Sequence, residues 1–84
     1  MTIRVLYFAA LRDALGRSEE SLALPPGVST IGELQTFLAD RGDQWKAIEG
    51  GKSVRAARNQ RMVGSSEPVS PGDEIAFFPP VTGG

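Results

Sequence analysis

The stretch TIGELQTFLADRG, Thr30 to Gly42, decides how the rest of the chain has to be arranged. Thr30 is followed three residues later by Glu33, the pattern in which a side-chain oxygen and a carboxylate each satisfy one free N–H at a helix start. Ile31, Leu34, Phe37 and Leu38 then recur at helical spacing as one apolar stripe, and Arg41 and Gly42 close the segment. A helix with a single apolar stripe must lay it on another surface, so the remaining segments have to supply one.

Strands supply it. TIRVLYF, Thr2 to Phe8, is rich in β-branched and aromatic residues, and its alternation puts Ile3, Val5 and Tyr7 on one face and Arg4, Leu6 and Phe8 on the other. Arg4 marks the second face as the wetter one, so Leu6 and Phe8 are candidates for partial exposure. EIAFF, Glu74 to Phe78, is a second strong strand, opened by the Pro71–Gly72–Asp73 turn signal. There Ile75 and Phe77 share one face, and Phe78 shares the other with Glu74 and Ala76. Between them, AALRDALG predicts a short helix with Leu11, Ala14 and Leu15 inward and Gly16 as a left-handed cap. SLAL, Ser21 to Leu24, predicts a strand before the Pro25–Gly27 turn. A helical turn around Trp45 and Ile48 sets Trp45 over an edge of the core. Gly50 and Gly51 read as a loop, and VRAAR, Asn59–Gln60 and RMVG as a short hairpin. The order predicts an α+β fold, one main helix across a small mixed sheet.

Eighty-four residues suit a single domain, 1–84, and no more than one core. A formal charge of −1 with scattered arginines does not build the field that nucleic acid or an anionic membrane requires. No apolar stretch is long enough to span a bilayer and the N-terminus has no signal-type segment, so the expected location is cytoplasmic. Cysteine and histidine are both absent, which removes thiol nucleophiles, zinc-type ligand sets and the usual neutral-pH acid or base. No metal and no bound cofactor are expected. Any sulfur or acyl chemistry therefore needs a reacting atom outside the side chains.

The last segment, FFPPVTGG, offers one. Pro79 and Pro80 give no N–H to a sheet and hold a polyproline-like φ, so they end the strand and direct a tail, 79–84, expected to be flexible beyond them. Val81 and Thr82 offer modest contacts. Gly83 and Gly84 offer only backbone and a carboxylate, a shape that threads a narrow channel. Once its oxygen is made a leaving group, as by adenylation, an unhindered glycyl carbonyl is open to attack, and sulfide in that role leaves a thiocarboxylate. The chain has no phosphate-binding loop of its own, so an ATP-dependent activating enzyme has to be a separate protein.

IRVLYFAALRDALG, NQRMV and GDEIAFFPPVTGG, in that order and over essentially the whole chain, resemble the small, sulfur-carrying subunit of molybdopterin synthase. The resemblance implies a ubiquitin-like β-grasp fold, with first and last strands parallel at the centre of the sheet. It implies that Gly84 is adenylated by a ubiquitin-activating-type adenylyltransferase and converted to a thiocarboxylate by a sulfur donor system. The tail, with Gly83 threaded beside it, then enters the large synthase subunit, in a heterotetramer. There the sulfur passes to cyclic pyranopterin monophosphate to form the molybdopterin dithiolene. Such a chain is a non-catalytic half of an enzyme, without activity alone. The positions of Phe8, Met62 and Phe78 match an apolar docking patch, continued by Pro79, Pro80, Val81 and Thr82, and Arg12 matches a basic helix position that can touch the activating enzyme. Core packing is the alternative for each; strand parity puts Phe8 and Phe78 on the faces marked by Arg4 and Glu74 and so favours the patch for both, while Met62, in a very short strand, stays open between the two. Arg58 stands where the resemblance calls for an apolar residue at the hairpin edge of the patch. Two other readings use the same carboxylate: a protein modifier conjugated through Gly84, and a sulfur carrier for thiamine synthesis or tRNA thiolation.

Overall fold

The computed structural model describes residues 2–48 and 54–79. Its elements run β1 (Thr2–Tyr7), α1 (Ala10–Leu15), β2 (Glu19–Ala23), α2 (Ile31–Ala39), a 3₁₀ segment (Asp43–Ile48), β3 (Arg55–Arg58), β4 (Arg61–Val63) and β5 (Glu74–Phe78). The strands form one mixed sheet in the order β2-β1-β5-β3-β4. β1 and β5 lie parallel at its centre and every other pairing is antiparallel. This is the β-grasp arrangement. The parallel ladder continues past both strand ends, with the Arg4 N–H donating to the Asp73 carbonyl at 2.9 Å and the Phe8 N–H to the Phe77 carbonyl at 3.1 Å. No helix among the described residues is long and apolar enough to cross a membrane.

α2 begins where the capping pattern places it. The Thr30 hydroxyl accepts from the Glu33 N–H at 3.2 Å, and the Glu33 carboxylate accepts from the Thr30 N–H at 3.1 Å and the Ser29 N–H at 2.8 Å. Ile31, Leu34 and Leu38 are buried against Ile3, Val5, Tyr7, Ile75 and Phe77, while Leu11, Leu15, Trp45 and Ile48 close the ends of the core. Two inward assignments need correction. Phe37 is 37% exposed, and its place in the stripe is taken by buried Gln35. With about 100° of turn per residue, position 35 lies closer to the centre of the Ile31–Leu34–Leu38 arc than position 37 does. The Gln35 amide donates to the Ile48 carbonyl at 3.1 Å, so the polar side chain is satisfied and anchors the 3₁₀ segment. Ala14 is likewise exposed, because α1 has too few turns to bury more than Leu11 and Leu15.

β2 starts two residues earlier than expected, at Glu19 rather than Ser21. Consecutive glutamates disfavour a strand locally. Pairing with β1 overrides that preference, because the register Val5↔Glu20 carries the Glu20 carboxylate to the Tyr7 hydroxyl, which donates to it at 2.7 Å. Arg41 and Arg17 reach the same carboxylate at 2.9 and 3.3 Å, and the Arg41 guanidinium lies 4.7 Å from the Trp45 ring centre. Burial first, then the bond to Glu20, pushes the Tyr7 hydroxyl far above its ordinary range. For Glu20, burial acts upward but is outweighed by the Arg41 and Tyr7 hydrogen bonds and by both arginine charges, so its carboxyl titrates below the ordinary glutamate range.

A depressed folded-state pKa means that the unfolded chain binds this proton more readily. The stabilisation from Glu20 is therefore complete above the ordinary glutamate pKa and is lost as pH falls through the lower folded value. Glu20→Gln keeps an acceptor for Tyr7 and removes the charge. The variant is expected to lose about 1 kcal/mol at neutral pH, with the gap to the native protein closing below about pH 4. Urea unfolding at a series of pH values measures this, and a gap constant down to acid would contradict it.

Candidate functional site

The sheet has two faces and α2 covers one. On the other, the strand registers align Leu6, Ala76, Ala57 and Met62 across four strands in one apolar row. Ala57 and Ala76 are only 9% and 8% exposed although they lie outside the helix-side core. They form the floor of a shallow surface whose walls are larger side chains. Met62 stands 59% exposed and Phe8 45% exposed, and Phe78 is half-buried beside them. The Phe8 and Phe78 rings meet edge to face, with centroids 6.5 Å apart and planes at 72°. Such a pairing holds two aromatic rings in a fixed relation on a wet surface.

Phe8 is aimed by an unusual turn. Directly after it, Ala9 adopts φ 53° and ψ −129°, a region that residues with a Cβ avoid. The chain accepts this to leave β1 sharply and enter α1, whose Leu11 N–H bonds back to the Phe8 carbonyl at 3.1 Å. Arg12 follows on the exposed surface of α1, and Pro79 continues from β5 half-buried. Phe8, Met62 and Phe78 are thus gathered on one side of the sheet, outside the helix-side core. Pro80, Val81, Thr82, Gly83 and Gly84 lie outside the described residues, as do Gly50 and Gly51.

Arg58 needs a correction. It pairs in register with Ile75 and therefore belongs to the α2 side, not to the apolar face. Its guanidinium donates to Asp73 at 2.8 Å and to Glu67 at 3.0 Å, and Asp73 also accepts from the Asn59 amide and the Ser70 N–H. For Asp73, burial acts upward but the Ser70 N–H, the Asn59 amide and Arg58 together prevail, holding its carboxyl below the ordinary aspartate range. The network ties the hairpin, where Asn59 and Gln60 both have positive φ, to the turn that launches β5. Arg58 thus leaves the edge of the patch intact.

Leu6, Ala57 and Ala76 also belong to the surface; strand alternation put Leu6 and Ala76 on this face without naming them as site residues, and for Ala57 the sequence carried no such signal. Ala57 becomes recognisable only once its cross-strand partners, Ala76 and Met62, are known. Among the described residues no group of three acidic side chains is placed to hold a metal. An open apolar face of this kind, without a catalytic side chain, is suited to docking against another protein.

A family model described as the ThiS family matches residues 5–84. The chain is 42% identical over 83 residues to the molybdopterin synthase sulfur carrier subunit of Escherichia coli (strain K12), covering 98% of this chain and 99% of that one. Among solved structures, it is similar to the putative molybdopterin converting factor subunit 1 from Pyrococcus furiosus. That likeness has a TM-score of 0.77 and 30% identity and covers 96% and 99% of the two chains. SAMP1 from Haloferax volcanii has a TM-score of 0.75 at 25% identity over the whole of both chains.

Proposed function

The chain belongs to the ThiS family, and from that membership we propose that it is the sulfur carrier subunit of a molybdopterin synthase, working through a thiocarboxylate on Gly84. The observation that carries the reading is the apolar face of Phe8, Met62 and Phe78, at whose edge β5 leads into the PPVTGG tail. A partner that covers this face receives the tail at a defined place.

The chemistry then divides between chains. An adenylyltransferase lets the Gly84 carboxylate attack the α-phosphorus of ATP, with pyrophosphate leaving. Sulfide equivalents from a donor system displace AMP from the acyl carbon and leave the thiocarboxylate. In the synthase large subunit, the terminal sulfur is transferred to cyclic pyranopterin monophosphate, water supplies the oxygen that restores the carboxylate, and a dithiolene takes two such deliveries. This chain contributes direction through Pro79 and Pro80, passage through Val81 and Thr82, and an uncrowded end through Gly83 and Gly84. Phe8, Met62 and Phe78 dock both partners in turn, Arg12 touches the activating enzyme, and the setting is the cytoplasm.

The likeness, at 25% identity, to the small archaeal modifier protein 1 (SAMP1) from Methanosarcina acetivorans favours one second reading, conjugation of Gly84 to a lysine. Whole-chain identity is higher to the carrier subunit, 42% against 25%, which supports the carrier reading. Intact mass after incubation with the activating enzyme, ATP and a sulfur source separates the two. One oxygen-for-sulfur exchange is expected, and conjugates that survive reducing agent would overturn the carrier reading.

A further inference from the structure

The docking face is electrically lopsided along the strand direction. Towards one end, Arg4 stands in register with Glu74 and donates through two nitrogens, at 2.8 and 3.1 Å, to a single oxygen of Glu19, which flanks the central row opposite Leu6 at the β2 edge. These three side chains sum to one negative charge. At the other end, Arg55 is paired in register with Phe78, the last residue of β5, and so points out of the same face as Phe78. It is exposed, and among the described residues no carboxylate is placed to pair with it. Four residues of strand, about 13 Å, separate the Glu74 and Phe78 rows. An apolar centre flanked by charges of opposite sign can be covered in only one orientation without setting like charges together.

We propose that Arg55 fixes the orientation in which the synthase large subunit docks, by pairing with a carboxylate that this partner presents at the mouth of the channel receiving the tail. The inference rests on the docking reading above. Its partner is a protein surface with an apolar hollow for Phe8, Met62 and Phe78 and an acidic group on the side where the chain leaves β5. A charge at the rim acts mostly on encounter and register, and the apolar centre acts on residence. Arg55 therefore selects the partner and its orientation, while Met62 and the two phenylalanines hold it.

The test measures association of full-length chain with the synthase large subunit in low and high salt, for the native protein, Arg55→Glu, Arg55→Lys and Met62→Asp. Arg55→Glu is expected to slow association about tenfold in low salt, with the difference vanishing near 1 M salt, where screening acts over about 3 Å. Arg55→Lys keeps the native rate within about twofold, since a rim contact needs the charge more than the fork. Replacing the partner's rim carboxylate by lysine restores the Arg55→Glu rate. Native or faster association of Arg55→Glu, alongside failure of Met62→Asp, would overturn the role of Arg55 while leaving the docking face in place. Native binding by both variants would overturn the docking reading and this inference together. Matching thermal midpoints confirm that each variant is folded.

Discussion

A chain lengthened by one residue beyond Gly84 is expected to fold and melt as the native protein does, and to take up no sulfur. The described core is built from residues 2–48 and 54–79, and a residue added after Gly84 replaces none of its side chains. The reacting carboxylate, in contrast, moves by about 3.5 Å, the length of one extended residue. Displacements of about 1 Å at a reacting centre already cost roughly a hundredfold in rate, so loading should fall by at least that much. Any residue other than glycine also sets a Cβ beside the carbonyl that the incoming sulfur must reach. Intact mass after incubation with the activating enzyme, ATP and a sulfur donor reads the result. Full sulfur loading with the extra residue still attached would end the terminal-carboxylate mechanism.

Met62→Asp separates binding from folding with comparable force. Met62 is 59% exposed, lies opposite Ala57 on the uncovered face and contributes nothing to the helix-side core. A change at such a position shifts stability by about 0.5 kcal/mol or less. In the complex, the same aspartate is buried against apolar groups with no partner for its charge, which costs about 3 kcal/mol or more. The expected outcome is a near-native thermal midpoint and affinity for the synthase large subunit reduced at least a hundredfold. Calorimetric titration measures the second quantity. Unchanged affinity would show that docking uses another surface.

Both predictions draw on features that differ in how far the sequence discloses them. The capping pair Thr30–Glu33, the alternation in TIRVLYF and EIAFF, and the Asn59–Gln60 turn are local, and local chemistry is sufficient to form them. The early start of β2 is different, because Glu19 and Glu20 join a strand only when Tyr7, Arg17 and Arg41 are there to receive the carboxylate of Glu20. Phe37 and Gln35 exchange places for a similar reason. Composition ranks phenylalanine as the inward residue, but position 35 lies closer than position 37 to the centre of the buried arc, and the Ile48 carbonyl gives the Gln35 amide a bond there. Arg58 fits the same pattern, since Glu67 and Asp73 are both supplied from the loop that precedes β5.

Which residues travel together is written in the order of the chain: Ile3 with Val5 and Tyr7, Ile75 with Phe77, and Phe8 and Phe78 each with a charged neighbour on its own strand. Period-2 alternation enforces this grouping whatever the strands pair with. Tertiary structure alone decided which group would be covered and how the exposed ones would join. Phe8 and Phe78 are seventy residues apart, and they meet because β1 and β5 pair in parallel with Tyr7 opposite Phe77. Met62 enters the same surface through Ala57 and Ala76, across two further pairings. A docking face assembled from distant strands exists only in the register between them, and register belongs to the folded sheet.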